Sequence, residues 1–449
     1  MTADLHQADS LGMFGATFAL AEQMSDAAAV AAAVEGLPSG EGITSVVILG
    51  MGGSGIGGDV AVAVAAPGAR VPIVVSKHYE SPAWVGPDTL VLASSFSGNT
   101  EETVAAATAA AEAGARMVVM ASGGELERLA PAWGAPLVRF DASIPMPRAG
   151  IGAVSVSPLV ILERLGLIDG VGAQIAAAVD QVRRRSEELA GEGNPAARLA
   201  RRIGRTMPLI YGGGVLGEVA AWRWKGQFNE NPKVPAFCNR VPELTHNEVA
   251  GWAVNGDVTR QVLTMLMLRH DFEHPQVARR FELIAEACDE VVADVLTVQA
   301  QGDGPLAQFM DLALVGDVTT LHLALDLGVD PGPVPVLDDI KARLASPPPR
   351  ADRHAALTPP SPHPPHPAPT PAPPRSRPHH PFCGVCVALC ATHTPQNVGR
   401  GLTVRGAHRS RGLTAWATPT GATRGTVGPG GPTCTRRQTT PARRHHDEA

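Results

Sequence analysis

Ser45-Val-Val-Ile-Leu-Gly50-Met-Gly-Gly-Ser54-Gly-Ile-Gly-Gly-Asp59 is a short run of β-formers that breaks into a glycine-rich turn. Residues 60–65 behind it are Ala and Val and read as the start of a helix. Strand, glycine turn and helix in that order bring backbone N–H groups together on an anion at a helix N-terminus. The stretch also contains Gly50-x-Gly52-x-x-Gly55, the spacing of a dinucleotide site. Such a site places an acidic residue roughly 20 positions on, at the end of the second strand. That strand is Val71-Pro-Ile-Val-Val75, and Ser76-Lys77-His78 follow it, so the carboxylate is missing. The turn therefore reads as an anion site of an α/β unit and not as a place for NAD.

Working outward, residues 16–35 are Ala-rich and read as helix. Thr89-Leu-Val-Leu-Ala93 is a third strand, running into Ser94-Ser95-Phe-Ser97-Gly-Asn-Thr100-Glu-Glu-Thr103 and a helix over 104–113. Hydroxyls and amides at a second helix start suit a phosphate monoester, whose oxygens need several donors. A plain Ser/Thr N-cap is the bland alternative, although Thr103 stands where a capping box has Glu. Two such loops on consecutive strand ends favour a shared ligand site, because open parallel sheets bind at their carboxyl edge. Strands over 115–120 and 136–140 follow. Ile144-Pro-Met-Pro-Arg148-Ala-Gly is then a restrained loop leading into a helix over 155–165.

The second half repeats the pattern. Residues 171–202 have helical spacing, and Met207-Pro-Leu-Ile-Tyr211 leads into a glycine turn at 212–217 and a helix over 218–228. No Ser/Thr cluster accompanies this turn, so this half is not expected to bind phosphate by itself. Arg223-Trp-Lys-Gly-Gln-Phe-Asn-Glu230-Asn-Pro-Lys233 and Pro242-Glu-Leu-Thr-His246-Asn-Glu248 form a polar island between apolar segments. Glu230 falls at a helix C-terminus, where the negative end of the dipole makes a carboxylate a stronger base. Strands over 262–268 and 291–298, a helix over 277–288 and an amphipathic helix over 305–327 complete the body.

At 449 residues the chain has room for two or three domains, and its charge is divided: residues 1–345 carry a net −16 and residues 346–449 a net +10. The first residues do not resemble a signal peptide, and no apolar run approaches the ~20 residues of a membrane span. The body holds only Cys238 and Cys288, which points to a reducing cytoplasm. The Pro-rich tail cannot bury a core and reads as disordered. Its Cys383-x-x-Cys386…Cys390-x-x-His393 is too loosely spaced for a zinc site, and its scattered Arg residues give no specific nucleic-acid partner.

Gly52-Gly53-Ser54, Ser95-x-Ser97-Gly-Asn-Thr100, the Pro147-Arg148-Ala149 loop and Asn229-Glu230-Asn231…His246-Asn-Glu248, in that order, resemble the bifunctional phosphoglucose/phosphomannose isomerase family. The resemblance covers roughly residues 10–345. It implies two sugar isomerase (SIS) domains, each a parallel sheet flanked by helices, over 1–154 and 155–345, with the tail from 346 outside them. It implies that Gly52, Gly53, Ser54, Ser95, Ser97 and Thr100 hold the substrate phosphate and that Glu230 moves a proton between C1 and C2. Arg148 would stabilise the enediolate. His246, supplied by the second subunit of a homodimer, and Lys341 would open the sugar ring. No cofactor or metal is implied. Where many relatives have Asp-Pro-Thr this chain has Asp330-Pro-Gly332. A non-catalytic SIS sugar-phosphate sensor is the alternative; it accounts for the phosphate loops but not for Glu230, His246 and Arg148 together.

Overall fold

The structure is a computed structural model, and residues 8–345 are described. The expectations of a disordered tail and of loosely spaced Cys383, Cys386, Cys390 and His393 lie outside those residues. The described chain belongs to one compact unit.

Two parallel sheets frame it. The first has the order β2-β1-β3-β4-β5, from β1 (Ser45–Leu49), β2 (Ile73–Ser76), β3 (Thr89–Ser94), β4 (Arg116–Ala121) and β5 (Leu137–Arg139). The second has the order β7-β6-β8-β9, from β6 (Met207–Gly213), β7 (Phe237–Val241), β8 (Leu263–Arg269) and β9 (Asp294–Gln299). Every pairing within them is parallel.

The strands are near-continuous apolar runs because both faces are covered. In the first sheet Val46, Ile48, Leu90, Leu92, Val118 and Met120 face one core. The alternate residues Val47, Leu49, Val91, Ala93, Met117 and Val119 face another, closed by helix α4 (Glu101–Glu112) through Ala106, Ala107 and Ala110. The second sheet does the same. Ile210, Leu266, Leu268 and Leu296 face the shared core, while Tyr211, Met265 and Met267 face α11 (Pro275–Cys288) through Phe281 and Ile284.

The shared core lies between the sheets and is filled by helices. These are α1 (Met13–Phe18), α2 (Leu20–Ala33), α3 (Gly52–Ala65), α6 (Ile151–Arg164), α7 (Val171–Ala190), α8 (Pro195–Ile203), α9 (Gly214–Glu230) and α12 (Pro305–Asp326). Shorter helices α5 (Gly124–Leu129), α10 (Gly256–Val262) and α13 (Pro335–Leu344) lie outside it.

Four readings of the sequence are corrected. Helix α3 begins at Gly52, not at residue 60, so the glycines form its first two turns and let it pack closely on its neighbours. Helix α9 likewise begins at Gly214, not at 218. The helix expected to be amphipathic, α12, is buried from Leu306 to Leu321 without a break. It is the central helix, in contact with α7, α8 and α9. Its two buried carboxylates, Asp311 and Asp317, lie against cations instead of marking a wet face. Asp311 accepts from Arg185 Nε at 2.8 Å and Asp317 from Arg223 Nη2 at 2.6 Å. Finally, Phe237–Val241, between the two halves of the polar island and not expected as a strand, is an edge strand paired with β6.

Candidate active site

The glycine turn after β1 and the serine loop after β3 meet at the carboxyl edge of the first sheet. Helix α3 has Met51 at its N-cap with no side-chain cap, so its first N–H groups have no partner from that source. Ser54 is buried, and its Oγ accepts from Phe96 N at 3.0 Å, tying one loop to the other. Ser95 Oγ lies 2.8 Å from Thr100 Oγ1. Thr100 is the N-cap residue of α4, yet its side chain does not cap the helix. The simple N-cap reading fails there, and that helix start is also left open. Ser97 is exposed, its Oγ accepting from Asn99 N at 3.3 Å.

The third loop joins them through Gly53. A Cβ on Gly53 would stand 3.2 Å from the Pro147 carbonyl oxygen and 3.7 Å from Arg148 N. Arg148 sits in a 3-10 turn, Pro147–Gly150, and only 4% of its side chain is exposed, against 34% for Glu230. It is not a solvated surface arginine. Its Nε donates to Asn231 Oδ1 at 3.0 Å and its Nη1 to Glu230 Oε2 at 3.2 Å. Nη2 donates to the Pro331 and Gly332 carbonyls, each at 2.6 Å. Burial pulls the Arg148 pKa below its ordinary value, and the Glu230 carboxylate pulls it back up.

Glu230 is the last residue of α9, and its carboxylate is partly exposed while Oε2 is held by the guanidinium. The negative end of the helix dipole is therefore met by a cation, a contact that helix position alone does not reveal. Behind it, Asn231 Nδ2 donates to Thr320 Oγ1 at 2.9 Å, and Arg223 bridges the Arg148 carbonyl and Asp317, both at 2.6 Å. Central helix α12 thus braces the site through Asp317 and Thr320.

Gly52, Gly53, Ser54, Ser95, Ser97, Thr100, Arg148 and Glu230 are brought to one side of the molecule. His246 is not. Glu230 precedes the loop into β7, whose first residue Phe237 pairs with Leu209 at the amino edge of the second sheet. His246 follows Val241, paired with Gly213 at the opposite edge. A five-residue strand separates the two edges, roughly 17 Å at 3.3 Å per residue. His246 is exposed. Lys341 lies on α13, none of whose residues is buried.

Sequence reading passed over Lys233 and the supporting residues Arg223, Asp317 and Thr320. The legible signal was the pair Asp311 and Asp317 inside a largely apolar 22-residue helix, since buried charges demand partners. At position 332 a Cβ would lie 2.8–3.0 Å from three side-chain atoms of Leu11, so Leu11 occupies the space that a threonine there would need.

Comparison with known proteins bears on this arrangement. The bacterial phospho-glucose isomerase C-terminal SIS domain matches residues 192–344. A protein of Caldicellulosiruptor bescii named bifunctional phosphoglucose/phosphomannose isomerase is 35% identical over 340 residues, 74% of this chain and 99% of that protein. The chain belongs to the bifunctional phosphoglucose/phosphomannose isomerase family. Another protein of that family name, from Aquifex aeolicus, is 30% identical over 300 residues, 67% of this chain and 90% of its own length. The C-terminal domain of glucosamine-fructose-6-phosphate aminotransferase from Francisella tularensis superposes with a TM-score of 0.55 at 14% identity, over 71% of this chain and 96% of that one. That likeness concerns the SIS fold alone, which the bifunctional isomerase family shares.

Proposed function

We propose that the protein is an aldose–ketose isomerase that interconverts glucose 6-phosphate, mannose 6-phosphate or both with fructose 6-phosphate. Family membership supports the reaction class, and the observation that carries the reading to residues is the Arg148–Glu230 contact at 3.2 Å beside Gly53. In this reading the phosphate sits on the open helix starts of α3 and α4, held by Gly52, Gly53, Ser54, Ser95, Ser97 and Thr100. Its dianion is favoured there by the helix dipoles and free N–H groups.

The sugar carbons then reach towards Glu230. Its carboxylate takes the proton from C2 of the open-chain aldose and returns it to C1, passing through a cis-enediolate. Arg148 has five N–H donors and commits four to the protein. The fifth, on the nitrogen beside Glu230, is free for the developing oxyanion. These steps draw on side chains of the protein, so no cofactor is part of the proposal. Ring opening is assigned to His246 and Lys341. The roughly 17 Å between the sheet edges supports taking His246 from a second subunit, and a homodimer is part of the reading. So are a phosphate-binding domain over 1–154, a catalytic domain over 155–345 and a cytoplasmic location. No helix among the described residues is long and apolar enough to cross a membrane.

The test is a coupled assay for fructose 6-phosphate formation from each aldose phosphate, with wild type and Glu230→Gln. Turnover by wild type and a fall of about 10²–10⁴-fold in the variant are expected. Binding of sugar phosphate without turnover would favour the sensor, and equal activity in the variant would remove Glu230 from the mechanism.

A further inference from the structure

Lys233 has a backbone φ of +58°, in the left-handed region that residues with a Cβ avoid. Such a conformation persists where the surroundings over-determine it. Two contacts do so here. Lys233 Nζ donates to the Asp330 carbonyl at 2.5 Å and to the Asn231 carbonyl at 3.1 Å.

The next two carbonyls after Asp330 are those of Pro331 and Gly332, which accept from Arg148 Nη2. Three successive carbonyl oxygens therefore face two cations. The Asp330 side chain holds the loop in that shape, its Oδ1 accepting from Gly332 N at 3.0 Å and from Ser10 N at 3.4 Å. Burial, and after it the charge of Arg148, draws the Lys233 ammonium below its ordinary pKa, in keeping with two cations sharing one acceptor loop.

We infer that Lys233 is a positioning residue for the isomerisation, fixing the 330–332 loop so that Arg148 is held beside Glu230. The inference rests on the roles given above to those two residues. Its physical content is that Arg148 can present its free N–H to the substrate only while Nη2 is engaged on Pro331 and Gly332. Without the ammonium, the Asp330 carbonyl loses its donor and the loop its tie to the 229–233 segment. The hydrogen bonds of the Lys233 ammonium go to Asn231 and Asp330 and not to the phosphate loops, so substrate capture is left intact and the cost falls on the chemical step.

Three variants test this: Lys233→Met, Lys233→Gly and Lys233→Arg, each assayed for kcat and KM and for thermal midpoint. Lys233→Gly removes the ammonium while accepting the positive φ without strain, so it separates loss of the contact from loss of fold. The expected result is that Met and Gly each lower kcat on the order of 10–100-fold, with KM within about twofold of wild type. The Gly variant should melt at or above the Met variant, and Arg, which keeps a donor head group, should recover part of kcat. Wild-type kcat in Lys233→Gly, or a loss confined to KM, overturns the inference and leaves the isomerase reading standing. A wild-type protein that turns over neither hexose phosphate overturns that reading first, and the role of Lys233 with it.

Discussion

At the scale of residues, the site depends on how completely Arg148 is enclosed. A guanidinium that donates to a side-chain amide, a carboxylate and two carbonyls has its plane fixed before substrate arrives, and a preorganised donor is what stabilises developing charge most. An ammonium cannot reproduce that fork from one nitrogen. Arg148→Lys is therefore expected to lower kcat by roughly 10²–10³-fold with a smaller change in KM. It should also lower the melting temperature, because buried carbonyls at Pro331 and Gly332 lose a donor, at about 1–3 kcal/mol for each group left unsatisfied. Steady-state kinetics and thermal melts check both. The sequence made Glu230, Arg148 and the serine loops visible because each motif is local. It could not make Asn231, Asp317 or Thr320 visible as supports. Their partners lie 83–94 residues away in the chain, and nothing in spacing reports such contacts.

At the scale of elements, α12 carries the structure. Read by periodicity, its Asp311 and Asp317 look like a wet face; in the fold they are the partners of Arg185 and Arg223. Packing against α9 is so close at Gly316 that a Cβ would stand 2.5 Å from the Trp224 indole. Trp224 Nε1 also donates to the Leu312 carbonyl at 2.8 Å, so the ring cannot retreat without losing a buried hydrogen bond. Gly316→Ala is expected to destabilise by about 1–3 kcal/mol, the usual result of overpacking, measurable by denaturant unfolding.

The same helix holds His322, whose ring packs edge-on to Phe14 at 5.3 Å and whose Nε2 lies 3.3 Å from Asn194 Nδ2. Burial lowers its pKa from the ordinary 6.5; Asp326 acts against this and Arg201 with it. A depressed histidine pKa means that below about pH 6.5 the unfolded chain takes a proton that the folded chain refuses. Stability from this group is thus present above that pH and lost as pH falls through the folded pKa. Melting temperature should drop as pH is lowered below about 6.5, and His322→Gln should make the drop shallower.

At the scale of the whole molecule, the two sheets and their helices were readable from alternating apolar strands and glycine turns. Residues that face the same core in both sheets follow from the period-2 pattern. What the pattern could not show was that the two sheets share one core. Nor could it show that His246 and Glu230, 16 positions apart in sequence, stand at opposite edges of one sheet. That separation makes a subunit-mixing experiment informative. Glu230→Gln and His246→Ala chains are each expected to be nearly inactive. Mixed and re-associated, they should regain roughly a quarter of wild-type activity, because half the dimers are hybrids with one intact site of two. No recovery despite hybrid formation would place His246 outside the neighbouring site.

The central claim is that Glu230 carries a proton between adjacent carbons. Its most direct test is conversion of glucose 6-phosphate or mannose 6-phosphate in D2O, with the product examined by NMR or mass spectrometry for deuterium at C1 of fructose 6-phosphate. A carboxylate that holds the proton between two half-reactions exchanges part of it with solvent. Wild type should therefore incorporate deuterium at C1, up to one atom per turnover, and Glu230→Gln should form product, labelled or not, about 10²–10⁴-fold more slowly. Conversion with no deuterium at C1, the mark of a hydride shift, would contradict the account, as would wild-type conversion by the variant.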